Sequence, residues 1–85
     1  MSTVHGGGVR FRIHPQDHEP VHAHGRYAET VVVVDLYADG SVGLADRDDA
    51  IIPRNAKASD VRRILRAAGE HYEAIVEAWM RMQGQ

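Results

Sequence analysis

The chain of 85 residues has no cysteine. A disulfide framework, thiolate metal ligands and a cysteine nucleophile are therefore excluded, and a reducing, cytoplasmic setting fits that usage. No apolar run approaches the roughly 20 residues that a membrane span needs. Residues 1–8 have neither a basic n-region nor an apolar h-region, so no secretory signal is expected. Neither sign of charge dominates. Ten Lys and Arg against twelve Asp and Glu leave −2 at pH 7, which argues against a generic polyanion binder and against direct nucleic-acid binding. A phosphate-cradling glycine loop is missing too, because Gly6-Gly7-Gly8 precedes a strand pattern rather than a helix. The acidic residues lack the alternating spacing and later Glu of a calcium loop, and no Ser-His-Asp arrangement can be read from the order of residues.

What is present specifies a fold. At this length a single domain over residues 1–85 is expected, burying only about 60–65% of its unfolded surface. Residues 1–8 read as a flexible lead-in. Val9, Phe11 and Ile13 alternate with Arg10 and Arg12, the mark of a half-buried strand. Pro15 and Pro20 punctuate a loop from His14 to Val21, after which a second strand runs from His22 to about Tyr27. Val31 to Leu36 is the strongest strand signal, since four consecutive β-branched valines resist helix and suit a pleated surface. Asp39-Gly40 supplies a hairpin turn to a short return strand ending at Ala45. Residues 46–58 read as a loop stopped by Pro53.

Ser59 then looks like an N-cap, with Asp60 in the first turn. Val61, Ile64, Leu65, Ala68, Tyr72, Ile75, Val76, Trp79 and Met80 follow in steps of three and four. The phase passes unchanged through Gly69, which predicts one helix over residues 59–82, bent at most at that glycine. The architecture predicted is α+β in two layers. A small antiparallel sheet of three to four strands, within residues 9–45, packs on one long C-terminal helix. Both faces of the valine strand are apolar at first, so its second face is expected to meet a partner or a second copy, giving a homodimer.

Two features point to chemistry. Charge comes in blocks: +1 over residues 1–28, −5 over 29–49, +4 over 50–67 and −2 over 68–85. The acidic block makes Asp35, Asp39, Asp46, Asp48 and Asp49 the candidate partner-binding surface. Arg54, Lys57, Arg62, Arg63 and Arg66 read as a solvated basic helix face, with no aromatic interleaved. The second feature is histidine: five of the six lie in the first 24 residues. His22 and His24 are i and i+2 on a strand, so their side chains share a face about 6–7 Å apart. Two imidazoles so placed can meet on a zinc, nickel, copper or iron ion, with His18 or His14 as a third ligand and Asp17 or Asp35 behind them. The same pair can instead work as metal-free acid and base in phosphodiester cleavage. The plain alternative is a structural or partner-contact cluster. His71, at the edge of the helix stripe, reads as a packing residue, and Tyr72 and Trp79 as core.

The run Asp17-His18-Glu19-Pro20-Val21-His22-Ala23-His24, behind an arginine-and-aromatic strand and ahead of a helix closing Ile75-Val76-Glu77-Ala78-Trp79, resembles a family of small bacterial proteins. That family is the domain of unknown function numbered four-one-six-zero, whose signature is similar to D-H-x-P-P-H-V-H-V with a C-terminal Ala-Trp helix. The likeness covers most of residues 9–82. Val21 stands where the signature has its second proline, and Gly25 where it has its final valine. The resemblance marks His18, His22 and His24. It implies an accessory role beside toxin–antitoxin or mobile-element genes, with no established activity. The function expected is a non-enzymatic interaction module. Its partner would be a macromolecule, a protein of nucleic-acid-binding type among the options. The alternative is a small hydrolase or nuclease-like enzyme using His22 and His24, with or without a divalent transition metal.

Overall fold

The computed structural model describes residues 2–15 and 20–84. Among them six strands and two helices follow in order: β1 Ser2–Gly6, β2 Val9–Ile13, β3 Val21–Tyr27, β4 Thr30–Leu36, β5 Val42–Leu44, β6 Ile51–Ile52, α1 Ala58–Glu70 and α2 Tyr72–Gln83. The sheet is an antiparallel meander in the order β1-β2-β3-β4-β5, and β6 also pairs with β4. The expected α+β, two-layer architecture is present, but with more strands than three to four and with two helices in place of one.

The first extra strand comes from the glycines. Residues 1–8 are no lead-in over their described part, because Ser2–Gly6 pairs along β2 from Ser2↔Ile13 to Gly6↔Val9. Gly7 and Gly8 form the two-residue turn, with φ of 62° and 79°. Positive φ at both central residues is what a type I′ hairpin requires, and glycine adopts it without strain. The second extra strand lies in the predicted 46–58 loop. Ile51 and Ile52 pair with Val32 and Val31, while β5 pairs with the other half of β4, Val34 to Leu36. Between them Val33 bonds both ends of the intervening arch: its carbonyl accepts from Ala45 and its amide donates to Ala50. Val33 is buried with Ala45 and Ala50. The second face of the valine strand, which argued for a second copy, is thus covered at Val33 by the chain itself.

The other sheet face carries the main core. Val9, Phe11, Ile13, Val21, Ala23, Val32, Val34 and Leu36 meet Ile64, Ala67, Ala68, Ile75 and Ala78. Val61, Leu65, Tyr72, Val76 and Trp79 pack at its margin as their spacing predicts, whereas Met80 is exposed and Met82 packs instead. α1 lies mainly over β3, β4 and β5, and α2 over β1, β2 and β3. A straight helix over the predicted residues 59–82 would span about 36 Å, against about 20 Å for five strands side by side. The change of direction falls at His71, with φ −111° and ψ 24°, not at Gly69. Its amide still donates to the Ala67 carbonyl and its own carbonyl accepts from Ile75. That continuity keeps the apolar phase intact across the break. Ser59 is inside α1, and the residue at the N-cap position is Lys57, without a side-chain cap bond.

Candidate functional site

The site grows out of strand alternation. Since Val21, Ala23 and Gly25 point into the core, His22, His24 and Arg26 point to the face that no helix covers. The register then sorts the neighbours on that face. Arg10 lies opposite Arg26, Arg12 opposite His24, His22 opposite Asp35, His24 opposite Val33 and Arg26 opposite Val31. His5 of β1 is opposite Arg10. His14 leaves the end of β2 and sets its ring edge-on to His24, with centroids 5.5 Å apart.

Asp35 is 6% exposed, and its Oδ1 accepts a hydrogen bond of 2.5 Å from His22 Nδ1. This bond fixes the ring of His22 through Nδ1. His24 is half-buried, and its Nδ1 has no hydrogen-bond partner among the described residues. Burial, first, and then the nearby charges of His14, Arg47 and His22 lower its pKa from the usual 6.5. Arg47 belongs to the arch between β5 and β6 and is forked onto Asp49, which holds the Asp49 carboxyl below its ordinary range. Arg10, Arg12, Arg26, His14, His24 and Val31 enclose a shallow cavity of about 230 Å³ on this face.

Of the histidines the sequence marks, His22 and His24 share the face as expected, and His18 lies outside the described residues. Among the described residues no group of three His, Cys, Asp or Glu side chains is arranged to hold a metal ion. The acidic residues do not form one surface. Asp35 is buried against His22, and Asp39 is held in the β4–β5 turn by Ser41. Asp46, Asp48 and Asp49 lie on the arch at the other end of β5. Sequence reasoning passed over Arg10, Arg12 and Arg26 as a unit, because only the β2–β3 register brings residue 10 beside residue 26. It also passed over Tyr37. That side chain is 40% exposed, and a Cβ on Gly43, the residue opposite Asp35, would lie 3.6 Å from its ring.

The family model for a domain of unknown function (DUF4160) matches residues 8–80. The chain belongs to that family. The match takes in every strand of the site, β2 to β4, and most of the helical layer, while β1 falls before it. No curated protein and no solved structure matches the chain.

Proposed function

We propose that the chain is a binding module for a nucleic-acid strand, engaged through the helix-free face of its sheet. The observation that carries this reading is the placing of Arg10, Arg12 and Arg26 with His14 and His24 round one cavity. Like charges directly opposite one another on antiparallel strands repel, and Arg10 faces Arg26. Neither has an ion pair among the described residues; Arg26 donates only to the Ala28 carbonyl. A local rule broken without internal compensation marks a functional position, and an anionic group between the two guanidiniums supplies the compensation. A phosphate backbone offers such groups in series. Tyr37, on the same face, adds a ring on which a base can stack. Of the described carboxylates near this face, Asp35 is engaged by His22 and Asp49, beside His24, by Arg47. The net charge of −2 therefore does not describe the face.

The test is fluorescence anisotropy with labelled single-stranded RNA and DNA oligonucleotides. The expected result is saturable binding that Arg10→Glu with Arg26→Glu removes in a chain that still folds. Undiminished binding by that variant would refute the reading. So would failure to bind either strand while an acidic protein is held by the same face.

A further inference from the structure

We infer that the chain also cleaves the RNA strand it binds, with His22 and His24 as the proton-transfer pair. This rests on the binding reading above and assigns that face a reaction.

His24 lines the cavity with the three arginines that would hold the phosphate, and His22 stands two residues along β3 on the same face, beyond that lining. As i and i+2 on β3 they flank a gap of about 6–7 Å, room for one phosphodiester between them. Their surroundings differ in the sense that acid–base catalysis needs. His22 has the Asp35 carboxylate accepting from Nδ1 at 2.5 Å, which holds its ring in one orientation. His24 has no carboxylate bonded to it, a buried Nδ1, and His14, Arg47 and His22 as cationic or potentially cationic neighbours, with Asp49 opposing them. These surroundings lower its pKa, favouring the neutral imidazole.

The step balances without a co-reactant. His24 takes the proton of the ribose 2′-hydroxyl as the 2′-oxygen attacks the adjacent phosphorus. The bond from phosphorus to the 5′-oxygen breaks, and His22 gives its Nε2 proton to that leaving oxygen. The products are a 2′,3′-cyclic phosphate and a free 5′-hydroxyl. Arg10, Arg12 and Arg26 stabilise the charge on the phosphoryl oxygens. Asp35 is a positioning residue and touches no substrate.

The experiment incubates the full chain, in excess chelator, with an RNA oligonucleotide and with the same sequence made as DNA, and follows binding and cleavage separately. Expected are RNA products with cyclic-phosphate ends, intact DNA and a bell-shaped pH–rate profile. His22→Gln and His24→Gln should each lower the single-turnover cleavage rate of bound RNA at least about 100-fold. Asp35→Asn should lower the rate and change the pH profile at unchanged affinity. RNA bound but left intact overturns this inference and leaves the binding function standing. Cleavage that survives both histidine substitutions, or that attacks the DNA equally, also overturns it. Absence of binding overturns both readings.

Discussion

Asp35 is 6% exposed, and His22 donates a hydrogen bond to its carboxyl group. Removing either partner leaves the other's polar group without that bond. Asp35→Ala should therefore cost about 1–3 kcal/mol, read as a fall in the thermal midpoint of several degrees. An unchanged midpoint would mean the pair contributes nothing to folding. His24 makes a prediction of the opposite kind. Its folded pKa lies below the unfolded value of 6.5, so between the two the unfolded chain binds a proton that the folded chain refuses. Stability then declines as pH falls below about 6.5, and above that value His24 contributes no slope. Melting curves at pH 7.5 and 5.5 should show the decline in the native chain and a shallower one in His24→Gln. Parallel declines would place the titrating group elsewhere.

Elements were legible from the sequence where a single strand or helix carries its own pattern. Val9 to Ile13 alternates because one face is buried, and the valines of β4 are β-branched whatever lies beside them. The helical stripe kept its phase because the break at His71 costs only one residue's geometry. What the sequence could not display is whatever depends on a second element. Gly7-Gly8 reads as a linker until Val9 and Gly6 are known to pair, and then it is a turn. The bend sits at His71, whose ring occupies the space beside Gly6: a Cβ there would come within 2.2 Å of it. The pairing of His22 with Asp35 likewise follows from register, not from spacing. Gly25 is the plainest case. A Cβ there would lie 2.6 Å from Ile64 Cγ2 and 2.8 Å from Phe11 Cε1, so those two side chains already fill the space beside the strand. Gly25→Ala should cost about 1–3 kcal/mol by overpacking, and Ile64→Val in the same chain should return part of it. Denaturant midpoints at constant slope measure the coupling; strictly additive losses would show that Ile64 is not what the new methyl meets.

Across the whole molecule, folding separates charges that the sequence interleaves. Arg10, Arg12 and Arg26 gather on the helix-free face, and Asp46, Asp48 and Asp49 are confined to the arch. A second basic group, Arg62, Arg63 and Arg66, borders a groove of about 360 Å³ in the helical layer together with Gly7 and Glu70. There Arg63 lies over the Tyr27 ring at 4.5 Å, so part of that charge is already committed to the fold. The two basic surfaces lie on opposite layers, and only one faces the His22–Asp35 pair. Salt dependence distinguishes them. Three phosphate contacts on a single strand predict a slope of log affinity against log salt of about −2. Arg10→Glu with Arg26→Glu should flatten that slope as binding is lost. Arg62→Glu with Arg66→Glu should leave it unchanged, because the helical layer and the sheet stand between those side chains and the bound strand. An equal flattening by the helical pair would move the binding surface to the other side of the molecule, away from both histidines, and would take the cleavage reaction with it.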